Sequence, residues 1–540
     1  MPLVTLFNWL LLACLLSTAP LATATTEEEP SVLEQAGELL KSRKFSDKSQ
    51  AVELLAGDAG EPAMVLLKAL LNSRLYYIKK DKRLVVIGEK GKEGYRVSDA
   101  LNDQSLGTLS KRKIKKISLN NRLRSRIRSV LAVAELRSPD AEKRLAAVTQ
   151  MLDRPRSEYA ALIEPLLAKE NDTEVKDVME IVIALANLGA AEEETRMAAV
   201  ETLDGNIHPA VRNGLEKLKQ GTDDKAFVAE INRVLNNIDA KLQLYGLVEN
   251  LFFGLSLGSV LVLAAIGLAI TFGVMGVINM AHGELIMIGA YTTYVIQLLM
   301  PDNIAASVIV AIPAAFVVSG LVGIAIERGV IRFLYGRTLE TLLATFGISL
   351  ILQQTVRSIF SPLNRSVETP AWMSGTWEIN SALSLTMNRL YIILFCLLVF
   401  AALYVVLKKT ALGLQVRAVS QNRAMARAMG VRSERVDALT FGLGSGIAGV
   451  AGVALSQLTN VGPNLGQAYI IDSFMVVVFG GVGNLWGTLV GGMTLGVANK
   501  FLEPWSGAVL AKILVLVFII LFIQKRPRGL FPQKGRAAEA

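Results

Sequence analysis

The stretch NLFFGLSLGSVLVLAAIGLAITFGVMGVINMAHG, residues 250–283, contains no charged side chain. A helix rises about 1.5 Å per residue and about 20 apolar residues span a bilayer, so this run exceeds one crossing. It holds a membrane helix and the start of a second element. Working outward, crossings are expected near 251–275, 285–299, 304–326, 339–360, 390–407 and 439–458, then a Gly-rich stretch over 473–499 and a last crossing near 508–523. The reading is an all-α polytopic membrane domain of about eight transmembrane helices plus re-entrant or broken segments.

The remainder of the 540 residues is different in kind. Lys and Arg number 36 against 35 Asp and Glu from Thr25 to Tyr245, but 20 against 12 from Gly246 onward. The net charge of +9 therefore comes almost wholly from the apolar half, which points to basic membrane-facing loops and to no nucleic-acid partner. Two cysteines and two histidines build no zinc site, and no phosphate-binding loop or hydrolase motif is present. No catalytic residue, metal or cofactor is expected.

Residues 10–21 are apolar but too short to span a bilayer, and Ala22-Thr23-Ala24 suits a signal peptidase. The division is then a signal peptide over 1–24, an extracytoplasmic domain over 25–245, a membrane domain over 246–535 and a cytoplasmic tail over 536–540. An uncleaved anchor is the alternative, because residues 1–9 lack positive charge. The 25–245 segment reads as mostly helical, with apolar positions such as Val175, Met179, Val182 and Leu185 at helical spacing. Leu75–Ile78 and Leu84–Ile87 read as a small β-hairpin. The string RLAAV at 144–148 returns as RMAAV at 196–200, which suggests stacked helical hairpins of the HEAT type.

Arg328, Arg332 and Arg337, then Lys408 to Arg435, then Lys525 to Arg536 follow alternate crossings, so those loops are expected in the cytoplasm. Parity then requires both ends of the 473–499 stretch to face outward. Its centre, Phe479-Gly-Gly-Val-Gly-Asn-Leu-Trp-Gly487, has enough glycine to break a helix at membrane depth or, equally, to pack helices closely. A second polar cluster spans Asn279 to Glu284. Its His282 and Glu284 either face a cavity within the bilayer or sit at the cytoplasmic surface, where Glu284 caps the next helix; the surface reading is the blander. Asp472 either lines an external vestibule or caps a helix beginning at Ser473. The substrate-path candidates are Asn279, His282, Glu284, Asn460, Asn464, Asp472, Gly480, Gly481, Gly483 and Asn484. In the cytoplasmic loop, Ser420 is expected to N-cap a short helix from Gln421 to Met429 that Gly430 ends, with Ala424 on an apolar face flanked by Arg423 and Arg427. Such a helix docks in a partner's groove or rests on membrane lipid.

The blocks Gly254–Ser259, Gly276–Glu284, Glu327-Arg328 and Gly413–Gly430 resemble permeases of branched-chain amino-acid ABC importers over about residues 247–532. Within that family, Asn460–Asp472, Phe479–Gly487 and the exported N-terminal extension look like the urea-importer subgroup, first membrane subunit. The resemblance implies a second permease subunit, two cytoplasmic ATPase subunits, an extracytoplasmic urea-binding protein and urea as substrate. It also implies that Gln421–Met429 is the coupling helix seated in an ATPase, with Ser420, Gln421, Arg423, Ala424, Arg427 and Gly430 as coupling residues. Urea is small and neutral, so amide, hydroxyl and carbonyl partners suffice for it. The same machine carrying branched-chain amino acids is the alternative substrate reading, and a receptor or scaffold is the alternative class.

Overall fold

The computed structural model describes residues 31–532 apart from 59, 92–93, 101, 103, 111 and 153–154. The signal-peptide segment 1–24 and the tail 536–540 lie outside the described residues. The chain divides into two compact units, Met1–Asn236 and Asn237–Ala540.

The first unit opens with α1 (Val32–Lys41), α2 (Phe45–Asp58) and α3 (Glu61–Leu71). Ser31 starts α1 through a reciprocal cap: its Oγ accepts from the Glu34 N–H and Glu34 Oε2 accepts from the Ser31 N–H. Strands β1 (Leu75–Ile78), β2 (Leu84–Gly91), β3 (Gly94–Asp99), β4 (Ser105–Leu109) and β5 (Ile114–Lys116) follow. The expected hairpin is present, with Leu75 opposite Val86 and Tyr77 opposite Leu84. It forms the centre of a larger antiparallel sheet, order β4-β3-β2-β1-β5. The three added strands are short, and the edge strand β5 reads Ile-Lys-Lys, so no apolar run marks them. Leu40, Leu55, Leu66 and Leu70 pack with Leu75 and with Ile127 of α4 (Asn121–Glu135) in one core.

Beyond α4 come α5 (Ala141–Leu152), α6 (Glu158–Leu167), α7 (Thr173–Asn187), α8 (Glu193–Thr202), α9 (Pro209–Gln220) and α10 (Lys225–Met275). The repeated RxAAV string is a repeat in three dimensions. Arg144 Nη1 donates to the Ser138 and Pro139 carbonyls, and Arg196 Nη1 donates to those of Ala190 and Ala191, the same positions one repeat later. Asp172 Oδ1 caps α7 at Glu174 N, and Asp224 Oδ1 accepts from Ala226 N at the start of α10. Buried Val175, Met179 and Val182 recur as buried Phe227, Ile231 and Val234. Each repeat thus contains three helices, which corrects the two-helix hairpin expected. Arg144 also forms a two-pronged pair with Glu170, at 2.8 Å for each prong, which holds the Glu170 carboxyl down to about 2.

The second unit is a helical bundle: α10 from Asn237 on, α11 (His282–Leu299), α12 (Ile304–Gly329), α13 (Thr338–Phe360), α14 (Met387–Lys409), α15 (Ala411–Gln421), α16 (Arg423–Ala428), α17 (Ser433–Ser456), α18 (Leu465–Gly480) and α19 (Leu485–Lys525). Strands β6 (Thr376–Asn380) and β7 (Leu383–Thr386) form a hairpin before α14. Among the described residues, six helices are long and apolar enough to cross a membrane: α10, α12, α13, α14, α17 and α19. The expected eight crossings resolve into these six, the shorter α11 and α18, and a reversal inside α19. Gly507 has φ +76° and interrupts the helix, and the chain then returns to place Phe531 N against the Gly480 carbonyl, beside the start of α19. Gly480, Lys408 and Arg528 lie at one end of the bundle, its basic end.

The helices α11, α12 and α17 pack through small residues. A Cβ added to Gly289 would fall on the Gly449 carbonyl, and one added to Gly452 on the Ile286 carbonyl. Without a hydrophobic drive between helices in lipid, such backbone approach is what gives α17 its packing. Leu339 and Leu343 of α13 stay exposed, as a lipid-facing surface does.

Candidate translocation site

Two crossings of the bundle begin without helix. After α10 ends at Met275, Gly276 takes φ +65° and residues 276–281 run non-helically before α11 starts at His282. After α17 ends at Ser456, residues 457–464 do the same before α18 starts at Leu465. The two resumed helices start against each other, since a Cβ added to Gly283 would lie 2.5 Å from the Gly466 carbonyl oxygen. Their positive N-terminal ends therefore meet inside the bundle.

The depth follows from packing. His282 Nε2 lies 2.9 Å from the Ala264 carbonyl, about 16 Å of helix before the end of α10. Gly267, beside His282, touches Gly444 at the middle of α17. Asn279, His282 and Glu284 are 1%, 0% and 1% exposed, so the surface-capping reading is corrected. They are interior groups whose burial costs free energy unless partnered.

The partners come from α13, which sequence reasoning passed over. Glu284 Oε1 accepts from Ser349 Oγ at 2.9 Å and from Gln353 Nε2 at 2.7 Å. Thr345 Oγ1 accepts from the Met280 N–H at 3.2 Å, and Asn279 Oδ1 from the Ala281 N–H at 3.0 Å. Thr341, Thr345, Ser349 and Gln353 are all buried and recur every fourth residue, one stripe down a helix. That spacing was visible in the sequence. One turn further, Arg357 Nη2 donates to Asn464 Oδ1 at 2.7 Å, just before α18. Glu284 Oε2, His282 Nδ1 and Asn279 Nδ2 have no hydrogen-bond partner among the described residues. Asn460, Asn464 and Gln467 are exposed around the start of α18.

The other candidates lie apart from this meeting point. Asp472 is in the middle of α18, so it caps no helix at Ser473; it is buried and paired with Lys512 of the returning leg of α19 at 3.0 Å. The glycine-rich segment does break the chain, but at the basic end rather than inside the bundle. Gly481 and Gly483 take φ +106° and +76° in the turn from α18 to α19, where left-handed backbone suits glycine. Gly480 packs on Gly487, and Asn484 caps α19 by accepting from the Trp486 and Gly487 N–H groups. Its Nδ2 donates to the Phe531 carbonyl at 3.2 Å, so Asn484 has a structural task.

The short helix expected over Gln421 to Met429 is present with shifted bounds. Ser420 lies in the last turn of α15 and donates to the Arg417 carbonyl; the cap of α16 is Asn422, which accepts from the Met425 N–H at 2.9 Å. Gln421 closes α15, and Gly430 at φ +85° follows α16. Ala424, Met425 and Met429 are exposed, the methionines at 61% and 79%. The arginines are fastened within the chain: Arg423 pairs with Asp437 at 2.6 Å and stacks on Tyr335, and Arg427 donates to Ser433. The methionines give the helix an exposed apolar face, beside which Gln421, Asn422 and Arg427 are exposed as well.

A bundle with two crossings interrupted head to head, buried polar groups at the interruption and an exposed short helix at the basic end has the architecture of a membrane permease. The chain belongs to the family described as branched-chain amino acid transport system / permease component, which matches residues 250–523. It is 31% identical over 292 residues to the high-affinity branched-chain amino acid transport system permease protein LivH of Salmonella typhimurium (strain LT2), covering 52% of this chain and 94% of that one. The corresponding protein BraD of Pseudomonas aeruginosa is 30% identical over 301 residues, covering 53% and 96%. The ribose import permease protein RbsC of Escherichia coli (strain K12) is 24% identical over 282 residues, covering 51% and 84%. No solved structure matches. The chain is thus an ABC-type permease of the branched-chain amino acid transport family, and the family match leaves the first unit uncovered.

Proposed function

We propose that this chain is the membrane-spanning subunit of an ATP-driven importer that carries urea inward across the cytoplasmic membrane, with its first unit outside the cell. It works with a second permease subunit, two ATPase subunits that hydrolyse ATP at the basic end, and an external binding protein that delivers the solute. The observation that carries the urea reading is the state of the acidic groups. Glu284 is bonded to Ser349 and Gln353 and Asp472 to Lys512, while the exposed amides of Asn460, Asn464 and Gln467 surround the start of α18. Amide donors and acceptors suit a neutral diamide. Alternating access follows if ATPase closure on α16 shifts α17, to which Arg423 and Arg427 tie it, and thereby the contact of α11 with α18.

A branched-chain amino acid is the second reading. It is favoured by the substrates in the names of LivH and BraD and by Arg357, a cation beside Asn464 that suits a carboxylate. Uptake of labelled urea and labelled leucine, with ATP depletion as control, in cells with and without the chain separates the two. Loss of urea uptake alone supports the first reading, and loss of leucine uptake alone replaces it with the second. Loss of neither, with no ATPase co-purifying, refutes both.

A further inference from the structure

At the basic end the bundle forms a half-open cavity of about 1140 Å³. Its walls come from the last turns of two spans, Val274 of α10 and Lys408 of α14, from Arg417 of the short helix α15, from Val482 in the turn before α19, and from Arg528 after it. Three cations line it, and among the described residues no Asp or Glu does. Lys408 is exposed and has no hydrogen bond or ion pair among the described residues, whereas Arg417 Nη1 is bonded to the Leu407 carbonyl. The remaining lining is mostly apolar, and Tyr404 and Trp486 stand in it, the ring types that gather where hydrocarbon meets headgroups.

We infer that this cavity binds the phosphate-bearing headgroup of an anionic phospholipid, with the acyl chains along its apolar wall. Charge selects an anion, because the described lining of the cavity is cationic at three positions and acidic at none. Position selects a lipid over a soluble anion, because Val274 and Lys408 stand in the last turns of two membrane-crossing helices, α10 and α14, where a bilayer's headgroups lie. Basic pockets between membrane helices take such headgroups. The apolar part would be left wetted by a free phosphate but is covered by a lipid chain. The inference concerns a structural lipid and does not depend on which solute the permease moves.

The test uses the full-length chain purified in mild detergent and read by native mass spectrometry after incubation with phosphatidylglycerol, phosphatidylcholine or inorganic phosphate. Phosphatidylglycerol should be retained about tenfold over phosphatidylcholine, and Lys408→Gln with Arg528→Gln should lower that retention about fivefold at unchanged melting temperature. Val482→Trp keeps all three cations while filling the apolar wall, and should lower retention likewise. Lys408→Gln alone, at an exposed side chain, gives a reading if either of these misfolds. Equal retention of the two lipids, or undiminished phosphatidylglycerol in the variants, overturns the inference. Displacement of the lipid by millimolar inorganic phosphate overturns it in favour of a soluble anion.

Discussion

The bonds from α13 to Glu284 permit a quantitative test of how the interrupted crossing is held. Gln353→Leu removes a 2.7 Å bond and Ser349→Ala a 2.9 Å bond, both to Oε1 of a side chain that is 1% exposed. For Glu284 as a carboxylate, a hydrogen bond contributes about 1.5–3 kcal/mol, and burial of the acceptor keeps bulk solvent from replacing the lost donor. At about 2–4 °C per kcal/mol for a domain of this size, each variant should lower the melting temperature of the purified chain by roughly 3–12 °C. Glu284→Gln keeps the shape and an acceptor oxygen, so it should cost less stability while removing the charge. In the Glu284→Gln background the cost of Gln353→Leu should shrink to the neutral range of about 0.5–1.5 kcal/mol, a coupling that a double-mutant cycle measures. Fluorescence-detected size-exclusion chromatography after heating supplies the melting temperatures. An equal cost of Gln353→Leu in the native chain and in the Glu284→Gln background would refute the argument that these donors serve the carboxylate.

Three further outcomes are expected. Gly466→Val presses a branched side chain into the Gly283 backbone; overpacking of about 1–3 kcal/mol, with helix starts forced apart, should abolish uptake while leaving detectable protein, checked by transport and membrane immunoblot. Met425→Ser with Met429→Ser removes the exposed apolar face of α16, so ATPase subunits should co-purify at less than about a third of the normal yield, against unchanged chain expression. Glu170 has a folded-state value of about 2 against an ordinary 4.5, so its pair with Arg144 stabilises above pH 4.5 and is lost as pH falls from there towards 2. Glu170→Gln should therefore lower stability of the first unit at neutral pH and flatten its acid transition, as hydrogen exchange of α5 to α7 reports.

Much of the bundle was legible because lipid leaves helices no alternative, so apolar runs such as 304–326 and 390–407 announce their crossings. The polar block Asn279 to Glu284 was legible between two crossings, but the interruption at 457–464 was not, and the break expected from the sequence lay at Phe479 to Gly487. What the sequence concealed was depth. Nothing local distinguishes a His-Gly-Glu at a membrane surface from one whose histidine reaches the Ala264 carbonyl, because that contact depends on α10 passing alongside. The same holds for Phe479–Gly487: its glycines show a break, but only the packing of Phe531 on Gly480 places that break at the basic end. In the first unit β3 to β5 are not marked by the sequence because short polar strands acquire their conformation from the hydrogen bonds of the neighbouring strand, β2 for β3, β3 for β4 and β1 for β5, not from side chains of their own. The stripe from Thr341 to Gln353 was readable and was missed, since each of its members is an ordinary helix residue taken singly.

The matched arginine clamps and aspartate caps of the first unit have a consequence for how this part of the chain changes in length. Arg144 and Arg196 hold equivalent carbonyls, and Asp172 and Asp224 begin equivalent helices. An insertion or deletion of one whole repeat, cut between equivalent points, leaves each clamp and each cap facing the partner it requires. One of any other length turns a buried face such as Val175, Met179 and Val182 towards water. Natural variation in the size of this unit should therefore come in whole repeats, with intermediate lengths confined to the connections between helices.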